Sequence, residues 1–235
     1  MTSGGVRSYL DGMSWIGQEI GATRLWGPEG QTPMRDLPPE ARLVVGAAGV
    51  PCDGLPGTLL PDELQQGPDG LHLAPLGQVS AALRLRLLGF QALNAHWDGL
   101  AVLPGQRETL WLTLSAGEVI HLRASATPKL AKALGCSEAR PEGLDEALSR
   151  ADALPFELAR AETPGEALGL LLGAEMAAAK SLWLGQQAVL VGQAPLAKAY
   201  LAALQGLYVP VTETVDDALV REGFRALAKK FLSAS

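Results

Sequence analysis

The sequence is poor in several residue types, and each shortage excludes a class of protein. Only two of its 235 residues are cysteines, Cys52 and Cys136, and they lie far apart, which argues against a disulfide framework or a cysteine-based metal site. Aromatic residues make up 5% and charged residues 19%, whereas 48% are hydrophobic. A chain this apolar is not intrinsically disordered, and its length fits one large domain or two small ones.

Positive charge is also scarce. The chain has 19 lysines and arginines against 25 aspartates and glutamates, a net charge of −6, and no basic cluster. Because binding to nucleic acid needs a patch of basic residues against the phosphates, we expect no nucleic-acid partner. Residues 1–9 lack the apolar stretch of a signal peptide, and the two thiols fit a reducing compartment, so the sequence predicts a cytoplasmic protein.

A long hydrophobic run occurs once, over residues 167–185. It contains Glu175 and Lys180, each of which would cost about 2.5–3.5 kcal/mol at the centre of a bilayer. The run Thr-Pro-Gly-Glu at 163–166 is typical of a capping box with proline at the first helical position. We therefore predict a buried helix over 164–184, not a membrane span, and no membrane partner.

The periodicity of the remaining chain predicts a mixed α/β protein, with strands mainly in the first half and helices in the second. Residues 50–70 are rich in glycine, proline and aspartate and predict a long loop. The predicted strands are 15–19, 24–26, 43–45, 71–73, 99–103, 110–114, 118–123, 188–191 and 208–211. The predicted helices are 79–93, 127–134, 143–151, 155–161, 164–184, 195–205 and 216–231.

Three glycine-containing segments are candidates for binding phosphate. The turn at 21–23 joins two predicted strands, and Pro104-Gly105 precedes another; backbone N–H groups in such turns can bind anions. Gly192 lies between an apolar strand and a helix, where a nucleotide can approach. Each segment has a structural alternative: an ordinary hairpin turn for the first two, and close packing of strand against helix for Gly192.

No established catalytic motif is present. The sequence contains no nucleophile elbow, P-loop, zinc-protease motif or dinucleotide fingerprint. Its three histidines form no constellation: His72 and His121 lie in predicted apolar strands and are interpreted as structural, and His96 lies in a turn. The residues by themselves predict a soluble α/β protein without specifying its ligand.

Four short runs nevertheless occur in a recognisable order. They are Glu-Ile-Gly-Ala-Thr-Arg-Leu-Trp at 19–26, Leu-Pro-Gly at 103–105 before a hairpin, Leu-Gly-Leu-Leu-Leu-Gly-Ala-Glu at 168–175, and Val-Leu-Val-Gly at 189–192. In this order they resemble the 2-dehydro-3-deoxygalactonokinase family of sugar-acid kinases. The resemblance is strongest from about residue 71 to 207, and the chain looks like a divergent and shortened member.

The resemblance implies a two-lobed, actin-like or sugar-kinase ATPase fold with ribonuclease H-like lobes. Residues 1–75 would form a reduced N-terminal lobe and residues 76–235 the C-terminal lobe, with the two predicted hairpins in separate sheets. It implies ATP and Mg²⁺ as cofactors and phosphorylation of a 2-keto-3-deoxy sugar acid in galactonate catabolism, so the ligands would be a nucleotide and a small sugar acid. It also allows a homodimer.

The same resemblance assigns roles to particular residues. Glu19 takes the place of the family's catalytic and metal-binding aspartate, and Arg107 and Glu108 stand where a remodelled catalytic pair could lie. The residues implied to bind the cofactor are Gly21, Ala22, Thr23, Gly105 and Gln106 around the phosphates, and Gly173 and Gly192 beside the nucleotide.

The chain departs from the family pattern at the polar residues of the site. Glu19 replaces the family's first-loop Asp, Ala22 replaces one of its Thr residues, and Ala-Ala-Leu-Arg at 81–84 replaces its Arg-Gly-Glu-Glu segment. Phosphoryl transfer needs carboxylates that hold Mg²⁺ and orient the nucleophile, so we expect little or no kinase turnover. The alternatives are an active sugar-acid kinase, a pseudokinase that acts as a binding or scaffold protein, and an α/β protein whose likeness is accidental.

Overall fold

The computed structural model describes residues 15–32, 41–192 and 194–232, which form two compact units. The first unit contains the described residues up to His96 and those from Asp217 onward, and the second contains residues 97–216. This division differs from the expected boundary after residue 75. The reason is that helices α1 (Ala81–Leu93) and α8 (Asp216–Phe231) both pack within the first unit.

The first unit is built on a sheet with the strand order β3-β2-β1-β4-β7-β6. Strands β1, β2 and β3 pair antiparallel, β4 and β7 continue parallel to β1, and β6 returns antiparallel to β7. The strands in the first unit are β1 (Ile16–Glu19), β2 (Leu25–Gly27), β3 (Gly30–Thr32), β4 (Arg42–Val45), β5 (Gly57–Thr58), β6 (Gln65–Gly67) and β7 (Gly70–Leu73).

The connection from β4 to β7 is unusual for two neighbouring parallel strands. Parallel neighbours are usually joined by a helix, but residues 46–69 contain only the short strands β5 and β6. The crossover between these two parallel strands therefore contains no helix. Close packing of α1 on α8 covers the sheet instead, because Gly89 and Gly223 let each helix approach the other's backbone at Leu219 and Leu85.

The sheet of the second unit contains β10, β9, β8, β11 and β12 as neighbours in this order. The first three pair antiparallel, and β11 and β12 run parallel to β8. Both units thus repeat one topology, with a three-stranded meander followed by two parallel strands. The strands are β8 (Gly99–Pro104), β9 (Thr109–Ser115), β10 (Glu118–Ser125), β11 (Ala188–Leu190) and β12 (Val211–Glu213).

This repeated topology is the ribonuclease H-like arrangement that the resemblance implied. The two predicted hairpins are also confirmed: β1 pairs with β2 and β9 pairs with β10, in separate sheets. The last predicted strand was misplaced, because Tyr208 has a positive φ of 59° and β12 begins only at Val211. The predicted loop at 50–70 contains β5 and β6, whose short polar sequences lack apolar alternation.

Helix α5 organises the core of the second unit. Its start is fixed by the predicted capping box, in which the Thr163 side chain accepts from the Glu166 amide and the Glu166 side chain accepts from the Thr163 amide. The predicted helix over 164–184 is divided at Ala179. The helices in the second unit are α2 (Thr127–Ala133), α3 (Leu144–Ser149), α4 (Leu154–Leu158), α5 (Pro164–Ala178), α6 (Lys180–Trp183) and α7 (Ala197–Gly206).

The burial of α5 agrees with its sequence. Leu168, Leu171, Leu172 and Met176 at helical spacing are all at most 2% exposed, and they join the main hydrophobic cluster of the unit. Within the described residues, neither α5 nor any other helix combines the length and apolarity needed to cross a membrane. The predicted buried helix is therefore confirmed.

Replacing Leu172 with Asp should unfold the second unit, because the side chain is fully buried and the change places an unpaired charge in the core. We expect a loss of several kcal/mol in the free energy of unfolding, measured by urea denaturation. The matched control is Leu130→Asp, since Leu130 is 45% exposed in the first turn of α2. A Leu172→Asp variant that unfolds cooperatively at the wild-type urea concentration would contradict this burial.

Candidate functional site

The turn between β1 and β2 is the first candidate phosphate site. Gly21 occupies a left-handed conformation with φ of 86°, and the turn is closed by the Ala22 amide, which donates to the Glu19 carbonyl over 3.1 Å. Residues 20–24 are exposed, and the amides of Gly21 and Thr23 have no backbone acceptor among the described residues. The turn therefore presents free N–H groups of the kind that bind an anion.

Glu19, the implied catalytic carboxylate, is not free for this role. Its two oxygens accept hydrogen bonds from the guanidinium of Arg86 on α1, at 2.6 Å to Nη1 and 3.3 Å to Nη2. Both side chains are only 16% exposed, so the pair is partly shielded from solvent and salt. Such a two-pronged, charge-assisted contact is among the stronger polar interactions in proteins.

Arg84 is the last residue of the segment that the resemblance aligns with Arg-Gly-Glu-Glu. It is 1% exposed and donates to the carbonyls of Thr58, Leu59 and Ala74 and to the carboxylate of Asp53 at 2.6 Å. These partners belong to the long crossover and to the residue after β7. Arg84 thus stabilises the loop that has no helix, and this position supplies a structural cation in place of a carboxylate.

The turn between β8 and β9 is the second candidate phosphate site. It is closed by the Gly105 amide, which donates to the Glu108 carbonyl over 2.9 Å. Gln106, Arg107 and Glu108 are exposed, and in the part of the chain that the structure describes their side chains have no hydrogen-bond or ion-pair partner. Arg107 and Glu108 therefore do not form the ion pair that their adjacency allows.

The two glycines expected beside the nucleotide lie in different surroundings. Gly192 follows β11 with φ of 114°, and a Cβ there would lie 3.5 Å from the Pro104 carbonyl at the end of β8. It therefore lies near the β8–β9 turn, at the carboxyl ends of two parallel strands, where ligands bind in α/β sheets. Gly173 is buried, and a Cβ there would lie 2.6 Å from the Leu144 carbonyl, so it serves the packing of α5 against α3 and not a ligand.

The residues present fit phosphate better than they fit a metal ion. Each exposed turn offers backbone N–H groups, which suit phosphate oxygens. Mg²⁺ is usually held by one or two carboxylates together with phosphates and water, and Glu19, the carboxylate beside the first turn, is engaged by Arg86. Within the described ranges, no group of three or more histidine, cysteine, aspartate or glutamate side chains could hold a metal ion.

A buried polar network in the second unit was not anticipated from the sequence. Glu175 on α5, 8% exposed, accepts from the indole N–H of Trp111 at 2.6 Å and from the hydroxyl of Tyr200 at 2.7 Å. Thr109 donates to Tyr200 over 2.8 Å, and the Trp111 and Tyr200 rings meet edge to face. Burial, and then the nearby Glu175 carboxylate, raise the pKa of Tyr200 well above its usual value.

The histidines and cysteines carry no catalytic geometry. His72 is 6% exposed and lies 2.7 Å from the Asp69 carboxylate, which confirms its structural interpretation, and His96 is exposed as expected. His121 is exposed on β10, so its interpretation as a structural residue was wrong; the pairing of β10 with β9 shifts register between the buried Val119 and His121, which breaks the alternation there. Burial raises the pKa of the Cys136 thiol, which disfavours the reactive thiolate.

Comparison with solved structures identifies the fold. A crystal structure from Sinorhizobium meliloti, described as a 2-dehydro-3-deoxygalactonokinase protein, is 19% identical with a TM-score of 0.68, over 94% of this chain and 97% of that chain. Component A of the Acidaminococcus fermentans (R)-2-hydroxyglutaryl-CoA dehydratase is 11% identical over 60% of this chain and 67% of that chain. Its TM-score of 0.38 is too low to support any conclusion.

The chain therefore has the α/β sugar-kinase fold, with a ribonuclease H-like sheet in each unit. The family model of 2-keto-3-deoxy-galactonokinase matches residues 122–227 of the chain. The matched segment includes Gly173 and Gly192 but neither candidate phosphate turn. No curated protein matches the chain by sequence. Since 97% of the Sinorhizobium chain is covered, little of that relative's length is missing here.

Replacing Tyr200 with Phe should destabilise the protein, because Glu175 loses a donor and Thr109 loses its acceptor in a buried site. We expect a loss of about 1–3 kcal/mol at neutral pH. Above the ordinary tyrosine pKa of about 10, the unfolded state releases this proton while the folded state keeps it, so wild-type stability falls as pH rises.

The Phe variant lacks this titration, so the difference in stability between the two proteins should narrow as the pH rises above about 10. Urea denaturation of both proteins at neutral and alkaline pH measures this difference, and every other titrating group is shared and cancels. A difference that stays constant or widens would show that Tyr200 does not retain its proton in the folded state.

Proposed function

We propose that this protein is a catalytically inactive relative of the sugar-acid kinases, a pseudokinase that binds the phosphates of a nucleotide through the backbone turn at 21–23. The observation that carries the proposal is the ion pair between Glu19 and Arg86. The position that should hold the metal and assist the nucleophile is occupied by a carboxylate whose two oxygens already accept from a guanidinium.

The change from a catalytic to a structural role follows from charge. A metal ion at Glu19 would have to displace Arg86 or lie close to its positive charge, and both arrangements are unfavourable. The segment at 81–84 offers no second carboxylate, because Leu83 is apolar and Arg84 is cationic and buried. Without these groups, neither neutralisation of the phosphates nor orientation of the sugar hydroxyl is supplied.

Nucleotide binding can be retained when catalysis is lost, because the two functions use different parts of the chain. The turn at 21–23 would bind phosphate with main-chain N–H groups, which tolerate Ala22 in place of another residue. The turn at 105–108 of the second unit is a separate candidate of the same kind, and its main-chain groups tolerate Gln106. Gly192 lies beside the second turn and leaves space next to the Pro104 carbonyl. When bound, ATP would bring the phosphoryl group that the family transfers, and this chain's residues would only hold it.

A second candidate is an active kinase for a 2-keto-3-deoxy sugar acid. The specific observation in its favour is that Arg107 and Glu108 are exposed at the β8–β9 turn and have no side-chain partner among the described residues. In that case Arg107 would neutralise phosphate charge and Glu108 would act as the general base. A general base is typically worth about 10²–10⁴ in rate, so turnover distinguishes the two candidates clearly.

We expect no turnover of a 2-dehydro-3-deoxy sugar acid in a coupled assay for ADP release. The double variant Glu19→Asp with Ala22→Thr should not restore activity, because it leaves Arg86 in place and adds no carboxylate at Leu83. Turnover on the order of 1 s⁻¹ or more, the low end for ordinary kinases, would contradict the pseudokinase proposal. Loss of that activity in Arg107→Gln or Glu108→Gln would then identify the rebuilt site.

We further expect ATP binding to be independent of Mg²⁺ in the wild-type protein. At a fixed ATP concentration, a saturable thermal shift should be the same in EDTA and in excess Mg²⁺, since the stabilisation then depends only on the dissociation constant. In Arg86→Gln, Glu19 becomes free, and Mg²⁺ should then tighten ATP binding by about fivefold or more, a coupling of about 1 kcal/mol.

The control for Arg86→Gln is Arg221→Gln, which removes an arginine on α8 that pairs with its neighbour Glu222. This control should keep ATP binding independent of Mg²⁺. Strong Mg²⁺ dependence in the wild-type protein would contradict the proposed role of Arg86. The absence of any saturable shift with ATP would contradict nucleotide binding itself.

A further inference from the structure

The second unit contains a cavity of about 350 Å³ that neither candidate turn uses. It lies between the paired strands β9 and β10 and the end of α5. Its walls combine charged, hydroxyl and apolar groups, contributed by Trp111, Arg123, Ser125, Glu175, Ala178 and Leu182. A volume of this size is within the range of cavities that hold small ligands.

Strand register explains why the polar groups meet there. Trp111 lies directly opposite Arg123, and Thr109 lies opposite Ser125. Side chains of directly opposed residues project from the same face of a sheet, so Arg123 extends from the face on which Trp111 contacts α5. The helical spacing of Glu175 and Ala178 brings both side chains to the same side of α5.

The cavity contains one group of each charge. Arg123 is exposed and has no hydrogen-bond or ion-pair partner among the described residues. Glu175 is 8% exposed, and each of its carboxylate oxygens accepts one hydrogen bond, from Trp111 and from Tyr200. A carboxylate oxygen can accept a second bond, so Glu175 retains capacity for a donor inside the cavity.

We propose that this cavity binds a free α-amino acid with an aliphatic side chain. The ligand carboxylate would pair with Arg123, and its ammonium group would donate to Glu175 beside the Trp111 ring, where a cation is favoured. The aliphatic side chain would lie against Ala178 and Leu182. The proposal goes beyond the proposed pseudokinase function and does not depend on it, because the residues involved lie outside both phosphate turns.

Charge matching selects a zwitterion over simpler ions. A monocarboxylate would satisfy Arg123 but would bring a second negative charge towards Glu175, and like charges in a shielded site are unfavourable. A simple amine would satisfy Glu175 but would add a positive charge near Arg123. A zwitterion meets both groups and leaves the cavity with no added net charge.

The first test compares three compounds of similar shape by isothermal titration calorimetry on the full chain. L-leucine should bind saturably, whereas 4-methylpentanoate, which lacks the ammonium group, and 3-methylbutylamine, which lacks the carboxylate, should each bind about tenfold more weakly or worse. Equal binding of 4-methylpentanoate would show a simple anion site and overturn the proposal. No saturable binding of L-leucine, L-valine, L-isoleucine or L-alanine would also overturn it.

The second test uses variants on the cavity wall. Arg123→Gln removes the carboxylate partner, and Ala178→Leu fills space at an exposed helical position, so each should weaken L-leucine binding about tenfold or more. The matched control is Arg160→Gln, whose side chain is 75% exposed elsewhere in the unit, and it should bind like the wild type. Binding unchanged in both wall variants would place the ligand elsewhere and refute the assignment.

Discussion

The guanidinium of Arg84 stabilises the crossover of the first unit that contains no helix. A crossover between parallel strands normally satisfies its own carbonyls within a helix, but residues 46–69 form none. Three carbonyls from this region and its border, together with the Asp53 carboxylate, accept instead from this buried cation. A buried charge is tolerable only when fully bonded, so the path of the loop and the position of α1 depend on each other.

The same helix determines what the unit can do chemically. Arg84 and Arg86 lie two positions apart and so point in different directions, one towards the crossover and the other towards Glu19 at the end of β1. The resemblance aligns Leu83 and Arg84 of this helix with two glutamates, and here the helix contributes the cations Arg84 and Arg86. The same helix keeps its apolar side, with Leu85, Leu87 and Leu88 buried.

The sequence predicted features that depend on local patterns. Alternation in 110–114 identified β9, its predicted hairpin with 118–123 identified β10, and the capping residues at 163–166 identified the start of α5, because each pattern is contained in a few neighbouring residues. The pairing of Glu19 with Arg86 joins residues 67 positions apart, and that of Trp111 with Glu175 joins residues 64 apart. The periodicity of a sequence does not reveal contacts between residues so far apart in the chain. Gly173 was misinterpreted for the same reason, since only tertiary structure shows α3 against it.

The division of the chain has a consequence for its synthesis. Residues 97–216 are continuous and contain every strand and helix of the second unit's own core, so this unit can fold as soon as it leaves the ribosome. The first unit is interrupted: Gly17 and Gly89 contact Phe224 and Leu219 of α8, which is translated last. Its amino-terminal sheet therefore remains incompletely covered until synthesis of the whole second unit and of α8 is finished. Truncation before α8 would leave that sheet exposed for the life of the protein.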